Sequence, residues 1–194
     1  MRSPVRPAMM IRTALLSLAM ATPAVAETPL PFDLGGEYTL TNQHGERYTQ
    51  ADPDGKPQLL FFGYVNCQEI CSAVFPMMAE VVNEIDAQGM DITPVMITVD
   101  PMRDTVDTMG PKLAEHHPDF VGLTGTEAEL QVAYDAYSIE KEEVFVDPEF
   151  GPVYAHGSFV YLLDAEGKFL TLVPPIVTPQ QAADIVAKYT KDLS

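Results

Sequence analysis

Cysteine is almost absent from this 194-residue chain, and the only two, Cys67 and Cys71, stand four positions apart. That excludes a disulfide-stapled scaffold, because bridging so small a loop would contribute only about 2 kcal/mol in the chain-entropy picture. Tryptophan is missing altogether, which removes the catalytic residue that glutathione peroxidases use. Basic side chains are scarce: 11 Lys and Arg against 28 Asp and Glu leave a formal charge of −17. Such a surface repels nucleic acid and anionic lipid and attracts cationic partners or metal ions. Equally, the charge suits a highly soluble exported protein. No apolar run reaches the ~20 residues that cross a bilayer, and no repeat or low-complexity tract breaks the chain.

The first residues read as an export signal. Arg2, Arg6 and Arg12 precede the short apolar core Ala14–Ala21, and Ala24-Val25-Ala26 offers a small-x-small cleavage site before Glu27. Met9 or Met10 is an alternative start, and an uncleaved anchor is the alternative use of the segment. Cleavage after Ala26 would leave residues 27–194 as a single domain with 8 basic and 28 acidic residues, a formal charge of −20. In an oxidising destination the two cysteines oxidise unless a metal or a reductant protects them.

Cys67-Gln68-Glu69-Ile70-Cys71 directly follows the apolar run Leu59–Val65. Two thiols one helical turn apart at the end of a buried strand make either a redox pair or a soft-metal site. Positions i and i+4 place Cβ atoms about 5–6 Å apart, whereas a relaxed disulfide wants about 3.5–4.5 Å. A single ion held by two thiolates at roughly 2.3 Å each lets the sulfurs stand about 4 Å apart or more. The spacing favours the metal.

The remaining pattern predicts an α/β layer structure with a mixed sheet. A hairpin runs over Glu37–Thr41 and Glu46–Thr49, with His44 in its turn. Buried strands follow at 58–64 and 92–99, with a helix over 72–87 between them that contains Pro76. A helix over 104–117, a strand over 120–123 and a helix opened by the capping box at Thr126 come next. An acidic loop is expected from Glu140 to Tyr154, then strands at 157–163 and 169–173. The last helix is capped by Thr178, with Pro179 at its first position and Gln181 at its third. A Cys motif where a central strand meets a helix is the thioredoxin-like arrangement, and ligand sites in open α/β sheets lie at such strand ends. His116 and His117 sit at a helix end, where capping is expected, and Met77, Met78 and Met90 read as core filling. Arg103 is expected to hold its loop through carboxylate pairs, while Glu69 is a candidate for outer-sphere or proton-handling work.

Phe61-Phe62-Gly63-Tyr64-Val65-Asn66-Cys67-Gln68-Glu69-Ile70-Cys71 resembles the Phe-Phe-Gly-[Phe/Tyr]-x-x-Cys-x-x-x-Cys signature of the Sco/SenC copper chaperones. Thr98-Val99-Asp100-Pro101-Met102-Arg103-Asp104-Thr105 is similar to that family's Val-Asp-Pro-x-Arg-Asp-Thr segment. Phe120–Thr126 and His156–Asp164 resemble two further shared stretches, in matching order from about Phe32 to Lys191. The resemblance implies a thioredoxin-like fold and a periplasmic protein that carries copper for the CuA centre of cytochrome c oxidase. It implies Cys67, Cys71 and His156 as the metal ligands, for Cu(I) and also Cu(II). The implied partners are a CuA-containing oxidase subunit and a copper donor chaperone, with no nucleic acid and with the membrane reached only through the partner. Gln68 and Ser72 stand where the family usually has proline, and Ala155 replaces its acidic residue before the histidine.

Soft, d¹⁰ Cu(I) suits two thiolates and an imidazole. A second function stays open, a thiol–disulfide oxidoreductase in which Cys67 and Cys71 form the catalytic pair and one thiolate attacks a partner disulfide while the other resolves it. Cys-x-x-x-Cys in place of Cys-x-x-Cys argues against a dedicated thioredoxin. A peroxiredoxin is disfavoured because Tyr64 holds the position of its Thr.

Overall fold

Strand β3 (Gln58–Gly63) is buried at every position, and its neighbour β4 (Thr93–Thr98) is buried at all but the first. Continuous Leu, Phe, Val and Ile runs of this kind belong to parallel strands covered on both faces. The two strands pair in parallel from Gln58↔Thr93 to Gly63↔Thr98, and β5 (Val121–Thr124) joins β4 in the same sense. The structure is a computed structural model and describes residues 34–67 and 71–191, without the side chain of Cys71. The expected leader over 1–26, the first residue or two of the resemblance near Phe32, and Gln68, Glu69 and Ile70 lie outside the described residues. Among the described residues, no helix is long and apolar enough to cross a membrane.

Among the described residues, β1 (Thr39–Asn42), β2 (Arg47–Thr49), β8 (Val160–Leu163) and β9 (Phe169–Val173) complete a seven-stranded mixed sheet in the order β2-β1-β5-β4-β3-β8-β9. One edge is the hairpin of β1 and β2, with β1 antiparallel to β5. Its turn is fixed by the Asn42 side chain, which accepts the N–H groups of His44 and Glu46, and His44 is exposed there. The other edge is the antiparallel pair β8 and β9. Helix α1 (Cys71–Ala87) packs with α4 (Pro179–Thr190). Pro76 lies inside α1 on its exposed side, so its ring meets solvent and not the core.

The helices begin where the sequence places their caps. Thr126 opens α3 (Glu127–Ala136): its N–H donates to the Glu129 carboxylate at 2.9 Å and its hydroxyl accepts the Glu129 N–H at 3.3 Å. Thr178 and Gln181 repeat that exchange at the start of α4. Helix α2 (Val106–Ala114) is shorter than the expected 104–117 span. At its start, the N–H groups of Arg103 and Asp104 both bond the Asp100 carbonyl, and this turn precedes the helix. At its end, His116 and His117 both donate to the Leu113 carbonyl, a tightening last turn before Pro118. Gly122 lets α2 approach the sheet closely: a Cβ there would lie 2.6 Å from Leu113 Cδ1.

The segment expected as an acidic loop is a ribbon. Strands β6 (Glu142–Asp147) and β7 (Gly151–Ala155) pair antiparallel in a separate two-stranded sheet. Val144 is a bulge, since Glu143 faces Tyr154 and Phe145 faces the adjacent Val153. The bulge breaks the alternation by which a strand is recognised in sequence. The turn is closed by Asp147, whose carboxylate accepts the N–H groups of Glu149 and Phe150 at 2.8 Å each. Gly151 follows at φ +81°, a backbone conformation suited to glycine.

Candidate metal centre

β3 ends at Gly63 and the chain turns through Tyr64–Cys67, where the Cys67 N–H donates to the Tyr64 carbonyl at 3.2 Å. Four residues later α1 opens with Cys71, so both cysteines flank the junction of a central strand and a helix. The positive end of the α1 dipole lies at Cys71. Cys67 is buried, with 6% of its surface exposed.

A buried carboxylate braces this turn. Asp104 Oδ2 accepts the Val65 N–H at 3.1 Å and the Thr98 hydroxyl at 2.7 Å. Thr98 Oγ1 accepts the Asp100 N–H, and Thr124 donates to the Asp104 carbonyl. Asp104 is fully buried, and its Oδ1 has no hydrogen-bond partner among the described residues. Burial pushes its carboxyl up to about 6, outweighing the hydrogen bonds from Thr98 and Val65 that favour the charged form.

Arg103 ties the same loop to the ribbon. Its guanidinium pairs with the Asp100 carboxylate, donates to the Phe150 carbonyl and reaches the Pro152 carbonyl at 2.7 Å. It also lies over the Tyr64 ring at 5.5 Å. The Tyr64 hydroxyl accepts the Tyr154 N–H at 3.5 Å. A Cβ at Gly151 would meet Arg103 Nη1 at 2.6 Å, so only glycine leaves room for this clasp.

The ribbon leads into His156, which sits between β7 and β8 and is 4% exposed. Its imidazole packs edge-on against Tyr64 and Phe61, with ring centroids 5.8 Å away in each case. Tyr64 therefore touches the His156 ring with its side chain and closes the turn on Cys67 with its carbonyl. The fold carries His156 across the intervening chain to the wall of the Cys67 turn. Cys71 enters the same neighbourhood as the first residue of α1, its side chain outside the described residues, as is Glu69. Among the described residues no three His, Cys, Asp or Glu side chains form a group able to hold a metal ion. Of the three expected ligands, the side chains of Cys67 and His156 are described; a thiol and an imidazole, the latter walled by the Phe61 and Tyr64 rings, are donor types that fit Cu(I).

The other candidates lie elsewhere. His116 packs on Phe75 at 5.3 Å, whereas His156 packs on Phe61 and Tyr64. His117 Nδ1 accepts the Asp119 N–H, a role beyond the helix end in place of the expected bond to a terminal carbonyl. Met77 and Met78 are in the core and Met90 packs against it. Sequence reasoning missed Tyr64 and Asp104 as braces. Their signal was their place inside the matched segments, and a buried aspartate is uncommon enough to be passed over.

A protein-family model described as SCO1/SenC matches residues 26–191. The SCO2-like protein of Rickettsia felis is 37% identical over 139 residues, spanning 71% of this chain and 67% of that protein. Among solved structures, Arabidopsis thaliana ScoI with copper bound superposes with a TM-score of 0.76 at 27% identity, over 82% of this chain and 99% of that one. Bradyrhizobium japonicum ScoI with copper bound gives 0.71 at 30% identity, over 80% and 99%. The fold is thioredoxin-like, with the mixed sheet and N-terminal hairpin expected from sequence.

Proposed function

The chain belongs to the SCO1/SenC family, and on that premise we propose that it carries copper, holding it through Cys67, Cys71 and His156. In this reading residues 1–26 are an export signal, the domain over 27–194 works in the periplasm, and a CuA-containing subunit of cytochrome c oxidase receives the copper. A donor chaperone loads it. The observation that carries the reading is the contact of His156 with Tyr64, which brings an imidazole from a distant loop to the Cys67 turn. Two relatives of matching fold hold copper, and this chain keeps a soft donor set in a nearly closed, aromatic setting.

Each residue has a definite task. The thiols lose their protons as they bind the ion, so binding releases protons. His156 offers an imidazole nitrogen, its ring packed against Phe61 and Tyr64. Asp104 sets the backbone on which Cys67 stands. Anaerobic titration of the reduced protein against a competing Cu(I) chelator tests the reading. One Cu(I) per chain is expected, with weaker binding in Cys67→Ser and His156→Ala; equal affinity for all three proteins overturns it.

The start of α1 at Cys71 favours a second reading, reduction of a partner's disulfide, since a helix N-terminus stabilises a thiolate. Reduction of a disulfide-bonded CuA-domain peptide by the same sample measures that activity.

A further inference from the structure

The β6–β7 ribbon carries apolar side chains that the fold does not use. Val144, Phe145 and Val146 are 61%, 51% and 60% exposed, and Phe150 in the turn is 42% exposed. Consecutive residues of a strand point to opposite faces, so both faces of the ribbon present apolar surface to solvent. Clusters of this kind on a soluble protein mark interaction sites. A lone two-stranded ribbon is only marginally stable in water, yet this one is held by the Arg103 bonds to Phe150 and Pro152 and by the Tyr64–Tyr154 bond. An anchored, preorganised surface loses little entropy when a partner covers it.

Resting on the copper-carrier reading, we propose that this ribbon is the docking surface for the copper-accepting protein, and that the acceptor presents an apolar patch rimmed by Lys and Arg. Two observations select that partner. First, the ribbon is continuous with the site: Phe145 and Phe150 line a cleft of about 40 Å³ together with Tyr64 and Asn66. Tyr64 contacts His156, and Asn66 adjoins Cys67. Second, the rim is acidic. Glu140, Glu142, Glu143 and Glu149 are exposed and Asp147 is half-buried, against two cations: Lys141, which lies over the Tyr154 ring, and Arg103, which is already paired with Asp100. A second copy of this chain would bring the same acids, and anionic lipid would be repelled as well. A basic rim is attracted, which speeds encounter and fixes orientation.

Docking there sets the acceptor's ligands beside nearly closed donors. In the exchange Cu(I) keeps its oxidation state. Two acceptor thiols lose protons as they bind the ion, and the departing thiolates of Cys67 and Cys71 take up two.

The test follows copper passing from the Cu(I)-loaded full chain to the apo CuA domain of the host's oxidase, by stopped-flow absorbance. The variant Val144→Ser/Phe145→Ser/Phe150→Ser is expected to transfer at least tenfold more slowly while its Cu(I) affinity is unchanged. Val132→Ser/Ile176→Ser, which removes exposed apolar residues off the ribbon, is expected to match the wild type. The charge reversal Glu142→Lys/Glu143→Lys/Glu149→Lys should also be slower, and the wild-type rate should fall as salt rises. Wild-type transfer by the ribbon triple variant, or a salt-independent wild-type rate, overturns the docking proposal. So does self-association of the wild type in sedimentation that the triple variant abolishes, because a second copy would then occupy the surface. Failure of the wild type to bind Cu(I) at all sinks the carrier reading instead, so the two failures are distinguishable.

Discussion

Replacing Asp104 by Asn tests whether the brace under the cysteine turn is a carboxylate held against its charge. Asn retains an oxygen for the Val65 N–H and the Thr98 hydroxyl but cannot ionise. In the folded protein, burial raises the Asp104 carboxyl from its ordinary 3.8 to about 6. A carboxyl whose folded value is raised contributes its stability in the protonated form. That contribution is complete below about pH 3.8 and lost as pH rises through about 6. The gap corresponds to about 3 kcal/mol at roughly 1.36 kcal/mol per pH unit, with about half already lost by pH 5 and nearly all by pH 7. Asn also places an amide where Oδ1 has no partner. The cost of that buried donor, on the order of 1–3 kcal/mol, does not change with pH. The difference in unfolding free energy between variant and wild type isolates the titration, because the other groups cancel. Urea melts of the reduced, copper-free proteins from pH 5 to pH 8 should move that difference in favour of the variant by roughly 1 kcal/mol. A difference that stays flat, or moves the other way, refutes the argument that Asp104 is strained by ionisation.

Two further substitutions probe the scaffold. Arg103→Ala leaves the buried Asp100 carboxylate without its guanidinium and should cost about 3 kcal/mol in urea melts. It should also speed amide exchange in β6 and β7 while β3 and β4 stay protected, and unchanged ribbon exchange would remove Arg103 from its tethering role. Gly122→Ala pushes a methyl to 2.6 Å from Leu113 Cδ1 and 3.3 Å from Met109 Cβ, so overpacking should lower stability by about 1–3 kcal/mol. A wild-type melting curve would mean that α2 yields without cost.

What the sequence revealed divides along physical lines. The buried parallel strands were legible because their burial on both faces leaves uninterrupted apolar runs. Thr126 and Thr178 announced α3 and α4 because a capping box is a contact within four residues. The ribbon was hidden, since a bulge at Val144 disturbs its period and tertiary bonds from Arg103 hold it. The late start of α2 was hidden because its cap pairs Thr105 with Thr108, a box that lacks the Glu or Gln by which such caps are recognised in sequence. At the candidate site, the cysteine pair stood out through its scarcity, whereas His156 was singled out only through resemblance to a known strand motif. The brace residues Tyr64 and Asp104 act partly through backbone groups, the Tyr154 and Val65 N–H, and backbone partners leave little trace in residue choice.

The contact between Tyr64 and His156 joins positions 92 apart in the chain. Closing a flexible loop of that size costs about 4 kcal/mol of chain entropy. The assembled sheet has already met this cost before any ligand arrives. An unfolded chain would offer two neighbouring sulfurs and nothing more, and would discriminate poorly among soft ions. Under the copper-carrier proposal, the pairing of β8 with β3 is the contact that would turn indiscriminate thiol chemistry into a defined site. Premature encounter with metal or oxidant is the hazard of the interval before it.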